Sequence, residues 1–283
     1  MAEIWKGAPV AAAMTEHLAE RARQLLERGV EPTLAILRLG ERPDDIAYER
    51  GAISRCGKIG VAVRQMHLSA DCSREELLDT IRQVNEDTGI HGCLMLRPLP
   101  NRDDEWAACD LLAPEKDVDC ITPAALSAVF SGRGAGYPPC TAQACIELLD
   151  HYGVSLKGKR VAVIGRSLVI GKPVSMLLQS RDATVTMCHT KTVDMPAVCR
   201  EAEILIAAAG KAGLVDERFI SEGQIVLDVG INVDADGNLC GDVKFEAAEP
   251  VVRAITPVPA GVGSVTTAVL AKHVIEAAEK TLG

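Results

Sequence analysis

A glycine-rich turn in the second half of the sequence carries its sharpest chemical signal. An apolar strand is predicted over 160–165, Arg166 and Ser167 follow Gly165 directly, and a helix is expected to begin at about Gly171. Free N–H groups at such a helix start attract an anion, and glycine lets the anion approach the backbone closely. The spacing G-x-S-x-x-x-G differs from the usual dinucleotide fingerprint G-x-G-x-x-G. The turn therefore predicts a phosphate site, with a turn that binds nothing as the alternative.

The end of the next strand indicates which dinucleotide this turn would accept. A strand is predicted over 183–188, and residues 189–192, His-Thr-Lys-Thr, follow it without a carboxylate. NAD sites place an acid about 20 residues after the glycines to hold the ribose hydroxyls. Here Thr190, Lys191 and the earlier Arg166 would instead favour binding of a 2′-phosphate. The pattern favours NADP over NAD, with solvated loop charges as the alternative for Lys191 and Arg166.

Composition limits the classes of protein that need to be considered. The chain has 283 residues, 48% of them hydrophobic, and a net charge of −9, which argues against a nucleic-acid or anionic-membrane partner. No apolar run approaches the roughly 20 residues that span a bilayer. Ten cysteines occur without a C-x-x-C pair, so we expect reduced thiols in a cytoplasmic protein, and no metal site.

The periodicity of apolar residues alternates between strands and helices along the whole chain, which predicts an α/β fold of two αβ domains with parallel sheets. A polar loop is expected after Pro100, and a connector helix is expected to end near Tyr152. The predicted strands are 33–39, 61–67, 92–96, 160–165, 183–188, 203–207 and 224–228, and the main predicted helices are 8–29, 44–58, one beginning at Ser73, and 265–280.

Several motifs, in this order along nearly the whole chain, resemble those of the methylenetetrahydrofolate dehydrogenase/cyclohydrolase family (FolD type). The matching stretches are Pro114-Glu-Lys-Asp-Val-Asp119, Pro139-Cys-Thr141, Gly165-Arg-Ser167 with Gly171-x-Pro173, Asp228-Val-Gly-Ile-Asn232, Gly241-Asp-Val243, and Ile255-Thr-Pro-Val-Pro259 with Gly261-Val-Gly263.

The resemblance implies an N-terminal folate-binding domain over 1–140 plus 264–283 and a C-terminal Rossmann-type NADP domain over 141–263, with a cleft between them. It also implies a homodimer formed through the C-terminal domain. The implied reaction oxidises 5,10-methylene-tetrahydrofolate to the methenyl form with NADP, and most members then hydrolyse the product to 10-formyl-tetrahydrofolate.

Individual site residues are carried over from the same resemblance. Tyr48 matches a tyrosine near the folate rings. Asp119 matches a carboxylate at the pterin edge, and an acceptor-only group suits the N–H donors of that edge. The other matching positions are Pro259, Gly261 and Gly263 for the substrate, and Gly165, Arg166, Ser167, Gly171, Thr190, Gly210 and Ile231 for the cofactor.

Two folate-side catalytic positions depart from the family pattern. The family's key lysine falls on Ala52, one helical turn after Tyr48, and its glutamine falls on Leu96. Further changes on the same side are Asp44-Asp45 for an Ala-Ser pair, Ala142 and Ser264 for prolines, and Ala260 for a glycine.

These departures predict a dehydrogenase whose cyclohydrolase step is weak or absent, so that a separate cyclohydrolase would serve the same pathway. Hydride transfer mainly requires orientation, whereas hydrolysis needs water activation and proton transfer. Arg55, Lys58 and Arg97 are candidate replacements for the lysine, with solvent-facing charges as the alternative for each. Two other functions stay open: a relative acting on another small molecule, and a catalytically silent NADP- or folate-binding protein.

Overall fold

The computed structural model describes residues 1–282, and the chain divides into two compact units. The three-stranded unit comprises residues 13–140 and 267–282, and the six-stranded unit comprises residues 1–12 and 141–266; each is named after its main sheet. Residues 1–12 and 264–266 fall in the six-stranded unit, whereas the expected division places them in the folate-binding domain. The reason is backbone pairing, because Glu3–Ile4 pairs in parallel with Ala254–Ile255.

Eleven strands are present in the described chain, and all seven strands predicted from periodicity are confirmed to within one residue at each end. The strands are β1 (Glu3–Ile4), β2 (Thr33–Leu39), β3 (Ala62–Leu68), β4 (Gly92–Met95), β5 (Arg160–Ile164), β6 (Thr184–Cys188), β7 (Ile204–Ala207), β8 (Ile225–Asp228), β9 (Asn232–Val233), β10 (Leu239–Cys240) and β11 (Ala254–Ile255).

Helices separate most of these strands as the sequence predicts, but none lies between β7 and β10, and three follow one another between β4 and β5. They are α1 (Gly7–Glu27), α2 (Pro43–Ile59), α3 (Arg74–Glu86), α4 (Arg102–Leu111), α5 (Pro123–Ser131), α6 (Cys140–His151), α7 (Gly171–Gln179), α8 (Met195–Arg200), α9 (Phe245–Ala248) and α10 (Thr266–Lys280), together with 3₁₀ turns at Pro114–Lys116 and Val262–Ser264. No helix within residues 1–282 is long and apolar enough to cross a membrane.

One expected loop is largely helical. The polar stretch after Pro100 contains α4, which begins where the Asn101 side chain accepts hydrogen bonds from the N–H groups of Asp103 and Asp104. Its first turn is acidic, which complements the positive end of the helix dipole. This helix was not predicted from the sequence, because a capping residue rather than a strong apolar stripe marks its start. The cap predicted at Ser73 is present, and the Ser73 hydroxyl accepts from the Glu76 N–H.

The three-stranded sheet has the order β3-β2-β4, and all its strands are parallel. The central strand β2 is buried along its whole length. Alternate residues of a strand point to opposite faces. Leu37 and Met95 pair across the sheet and lie in the apolar core formed with Ile81 of α3 and Ala108 of α4. The opposite face therefore carries Ile36 and Arg38.

The six-stranded sheet has the order β1-β11-β8-β7-β5-β6, and its strands pair in parallel. The chain leaves β5 for β6 on one side and then passes to β7 on the other. The strand order thus reverses between β5 and β7, and in open parallel sheets ligands bind beyond the carboxyl ends of strands at such a switch point. The loops that begin at Gly165 and Ala208 lie at this point.

Candidate active site

Gly165 ends β5 in a conformation that only glycine adopts easily, with φ of +123°. Its N–H donates to the Cys188 carbonyl at 2.9 Å, and the Ala208 N–H donates to the Ile164 carbonyl at 2.8 Å. A Cβ atom at position 165 would collide with the Ala208 carbonyl oxygen. The two loops therefore approach each other closely at the switch point, and any side chain at Gly165 would push them apart.

The first turn of α7 presents N–H groups beside Gly165. The Ser167 hydroxyl accepts from the N–H groups of Ile170 at 3.1 Å and Gly171 at 3.5 Å. Gly171 packs against the Gly165 carbonyl so tightly that a Cβ atom would not fit. Arg166 and Ser167 are exposed. The structure thus brings Gly165, Arg166, Ser167 and Gly171 together in one turn whose geometry suits a phosphate.

The loop after β6 is held by its own side chains. The Thr192 hydroxyl accepts from the His189 N–H at 2.9 Å, and His189 Nδ1 accepts from the Lys191 N–H at 3.1 Å. Thr190 and Lys191 are exposed. Because β5 and β6 are adjacent, this loop and the Gly165 turn lie at the same edge of the sheet. A cation and hydroxyl groups therefore stand where an NAD site would have its acid.

Two buried carboxylates, not identified as site residues from the sequence, fasten the remaining loops at this edge. Asp228 accepts from the N–H groups of Gly230 and Asp242, both at 3.0 Å, and of Val243 at 2.9 Å. Burial raises the pKa of Asp228 to about 6, and these N–H donors offset part of that rise. The resulting Asp228–Asp242 clasp fixes the turn that leads to Ile231.

Asp242 extends the clasp to the loop after β7. Its carboxylate accepts from the N–H groups of Ala209 at 2.5 Å, Gly210 at 3.0 Å and Lys211 at 2.8 Å, and from Asn232 Nδ2 at 3.0 Å. The sequence signal was available in the motifs around Asp228 and Asp242, but spacing alone does not show which backbone groups they bind.

A cavity of about 240 Å³ in the six-stranded unit collects residues expected to contact cofactor and substrate. Ile231, Pro259, Gly261 and Gly263 all line it. Ala260, which is expected to replace a glycine of the family, adopts a φ of +80° and also lines the cavity. The structure therefore brings together three predicted substrate positions and one predicted cofactor position.

On the three-stranded unit, α2 carries Tyr48 and Ala52, which are expected to match the family's tyrosine and lysine. Tyr48 is half-buried, whereas Ala52 is completely buried. Leu96 follows β4, is 6% exposed, and donates its N–H to the Leu37 carbonyl. Asp44 and Asp45 lie in the first turn of α2, where they complement the helix dipole; Asp44 is exposed and Asp45 is buried. The two positions expected to match the family's lysine and glutamine thus carry buried apolar side chains.

The three proposed replacement cations are engaged elsewhere or exposed. Arg55 Nη1 donates to the Thr15 hydroxyl on α1 at 2.8 Å, while its Nε is buried without a hydrogen-bond partner. Lys58 is exposed in the last turn of α2. Arg97 Nη1 lies 3.5 Å from a carboxylate oxygen of Glu105.

Asp119 is partly buried, and its Oδ1 accepts from the Cys140 N–H at 3.0 Å. Burial raises the pKa of Asp119, and the Cys140 bond and the charge of Arg97 offset only part of the rise. The neighbouring Asp117 is fully buried and holds the loop by accepting from the N–H groups of Ile121 at 3.0 Å and Thr122 at 2.7 Å. Asp117 thus shapes the loop, and Asp119 joins it to the start of α6 at Cys140.

The three-stranded unit also contains a charged cluster that was not predicted from the sequence. Arg38 Nε donates to Glu49 at 2.7 Å, and the other Glu49 oxygen lies 2.7 Å from His67 Nε2 and 3.1 Å from Gln65 Nε2. Burial alone would raise the pKa of Glu49, but the bonds from His67, Gln65 and Arg38 lower it overall. The available signal was Arg38 itself, a charge within an otherwise apolar strand sequence.

Comparisons with known proteins agree with both halves of this description. Residues 5–119 match the catalytic domain of the family described as tetrahydrofolate dehydrogenase/cyclohydrolase, and residues 139–282 match its NAD(P)-binding domain. The chain is 51% identical to the bifunctional protein FolD of Clostridioides difficile (strain 630) over 275 residues, 97% of this chain and 96% of that protein.

Solved structures extend the similarity to the fold. The FolD methylenetetrahydrofolate dehydrogenase/cyclohydrolase of Campylobacter jejuni matches with a TM-score of 0.95 and 33% identity, over 99% of this chain and 100% of that one. The Trypanosoma brucei enzyme, complexed with NADP cofactor and inhibitor, matches with a TM-score of 0.92 and 35% identity, over 99% and 98% of the two chains. The chain therefore belongs to the tetrahydrofolate dehydrogenase/cyclohydrolase family.

Proposed function

We propose that this protein is an NADP-dependent 5,10-methylene-tetrahydrofolate dehydrogenase of one-carbon metabolism. Family membership supports the reaction. The observation that carries the choice of cofactor is the loop after β6, where Thr190 and Lys191 stand in place of an acid. A carboxylate there would repel a 2′-phosphate, whereas a hydroxyl and an ammonium group favour it.

The residues at the switch point fit NADP. Gly165 and Gly171 leave space that a Cβ atom would fill, so the pyrophosphate can approach the backbone of the turn that carries Arg166 and Ser167. Arg166 and Lys191 supply positive charge for the 2′-phosphate. When bound, NADP accepts a hydride from the substrate carbon, which leaves folate as the methenyl cation.

The chain's own groups orient the folate for this step. Tyr48 supplies an aromatic face for the pterin, and Asp119 supplies an acceptor for the N–H donors of its edge. Pro259, Gly261 and Gly263 line the cavity near Ile231 with little side-chain bulk, so a ring can approach the backbone. No proton has to pass to a protein base, because the carbon loses hydride and the folate nitrogens share the positive charge.

Hydrolysis of the methenyl product is proposed to be weak or absent. Water attack requires a group that moves protons through the tetrahedral intermediate, which is typically worth about 10²–10⁴-fold in rate. Ala52 and Leu96 are buried and cannot titrate. A separate cyclohydrolase would then consume the methenyl product.

Purified protein tests both parts of this proposal. We expect NADPH to form on addition of methylene-tetrahydrofolate, and methenyl-tetrahydrofolate to persist when supplied alone. Adding the missing pair in A52K/L96Q is expected to raise hydrolysis by about 10²–10⁴-fold, whereas the uncharged A52M/L96M control leaves it low. Rapid hydrolysis by the unmodified protein would refute the weak-cyclohydrolase proposal. Tight NADP binding without oxidation of any folate would refute the dehydrogenase.

We also propose that the enzyme is a cytoplasmic homodimer formed through its six-stranded unit. Val233 and Leu239 pair across the β9–β10 hairpin yet are 64% and 51% exposed, and the adjacent Ile231 is 71% exposed. Adjacent exposed apolar side chains favour a protein interface. All ten cysteines are free thiols, in keeping with a reducing compartment. Sedimentation of the parent and a V233E/L239K variant tests this, and a parent that sediments as a monomer contradicts it.

A further inference from the structure

Arg38 lies in the most buried strand of the three-stranded sheet. The residue is only 8% exposed, and its partner Glu49 is 4% exposed. Arg38 Nε bonds to Glu49 at 2.7 Å, and its Nη1 donates to the Gly40 carbonyl. The two residues thus form a buried, hydrogen-bonded ion pair that joins the carboxyl end of β2 to the middle of α2.

The pair lies beside both positions at which the family's catalytic residues are absent. Arg38 is the register partner of His67, so the two side chains share a face of the sheet. Leu37 and Met95 point into the opposite core. Leu96 directly follows β4 and still bonds to the Leu37 carbonyl, so the alternation places it on the face that carries Arg38.

The helix above this face supplies the other absent position. Glu49 and Ala52 are three residues apart on α2 and are both buried, so they share the helix face that packs on the sheet. Arg38 therefore shares a sheet face with Leu96, and its partner Glu49 shares a helix face with Ala52.

Stability alone does not account for this arrangement. Replacing a buried ion pair by packed apolar side chains is often neutral or stabilising, because burial of two charges costs more than their attraction returns. The other face of the same sheet shows the apolar solution, with Ala35, Leu37 and Leu39 packed in the core.

We propose that the Arg38–Glu49 pair positions the folate site. It holds α2, and with it Tyr48, against the carboxyl ends of the strands. In this region the family uses a lysine on the helix and a glutamine after the strand. This rests on the proposed dehydrogenase function. Here strand β2 carries the cation and the helix carries an anion, whereas the family's cation, its lysine, is on the helix and its glutamine is neutral. A guanidinium group does not release its proton. The pair can therefore orient a folate for hydride transfer without providing the proton transfers of hydrolysis.

The decisive variant replaces both charges by apolar groups of similar size, R38M/E49L. A purely structural pair predicts unchanged kinetics in any folded variant. Our proposal predicts a folded protein with an unchanged KM for NADP. Its kcat/KM for methylene-tetrahydrofolate should fall on the order of 10²-fold, because small misplacement of an orienting group costs about that much. The matched control is R64M on the neighbouring strand, where Arg64 forms an exposed pair with Asp87.

Single substitutions keep the test decisive if the double variant does not fold. E49Q preserves shape and is expected to weaken folate kinetics in the same direction, whereas R38K keeps the charge and is expected to retain more activity than R38M. Parent-like folate kinetics in folded R38M/E49L or E49Q would overturn the positioning role. If the parent itself oxidises no folate, the proposed function fails, and tetrahydrofolate binding by calorimetry still tests the pair. We expect binding about tenfold weaker in R38M/E49L, and equal affinities would refute the proposal.

Discussion

Replacing Asp242 by asparagine should loosen the loops after β7 and β8, which lie at the edge of the six-stranded sheet where the cofactor is proposed to bind (the cofactor edge). The Asp242 carboxylate is completely buried and accepts four hydrogen bonds, two at each oxygen. An amide has one acceptor oxygen, so whichever way the new side chain turns, two donors would face its N–H₂ group. A hydrogen bond to a charged group contributes about 1.5–3 kcal/mol, so the loss of two predicts a decrease of about 3–6 kcal/mol in the free energy of unfolding.

The distribution of the two tryptophans makes this loss measurable in one unit. Trp5 lies in the six-stranded unit, is 2% exposed, and stacks on Tyr152 with ring centroids 4.5 Å apart. Trp106 lies in the three-stranded unit and is 54% exposed. In a W106F background, tryptophan fluorescence during urea unfolding therefore follows the six-stranded unit. NADP titration of the same samples should show weaker binding, because Asp242 holds the loop at Gly210.

The matched control is D234N in the exposed turn after β9. The Asp234 carboxylate also accepts backbone N–H groups, from Asp236 at 2.9 Å and Asn238 at 2.8 Å, but water can replace it there. We expect its free energy of unfolding to change by no more than about 0.5 kcal/mol. If D242N stays equally close to the parent and binds NADP normally, the clasp does not fix the cofactor edge, and the reasoning is refuted.

Three further predictions concern pH, backbone conformation and cofactor choice. Burial lowers the pKa of His273 from 6.5 to about 4, although its Nδ1 bonds to the Val118 carbonyl. As the pH falls, the unfolded chain therefore binds a proton at this histidine before the folded chain does, and the free energy of unfolding should decrease by about 3 kcal/mol between pH 6.5 and 4. In H273N the free energy of unfolding should depend less on pH over this range. G165A should lower NADP affinity at least tenfold in a binding titration, because its Cβ atom meets the Ala208 carbonyl at a positive φ; parent-like affinity would contradict this. K191D should lower NADP affinity more than NAD affinity, and an unchanged ratio of the two dissociation constants would place the 2′-phosphate elsewhere.

Local patterns were sufficient for the elements and for the phosphate turn. The alternation of apolar residues located β2 and β5, and the glycine that ends β5 identified the turn at Gly165. These features depend on neighbours within a few residues, which a sequence displays directly. The departures predicted at Ala52 and Leu96 also come from local sequence, because each position lies within a motif that resembles the family's. The helix α4 was not predicted, because its start depends on a cap at Asn101 rather than on apolar periodicity.

The sequence by itself determined the fold class, the family motifs and the lack of titratable groups at Ala52 and Leu96. Only the tertiary structure decided which charges are paired. Arg38 meets Glu49 across 11 residues, and Asp228 binds the backbone of Asp242 across 14. Such partners are set by the packing of a helix on a sheet or of one loop on another. A buried charge must find a partner, but its identity depends on which groups the fold brings within hydrogen-bond distance.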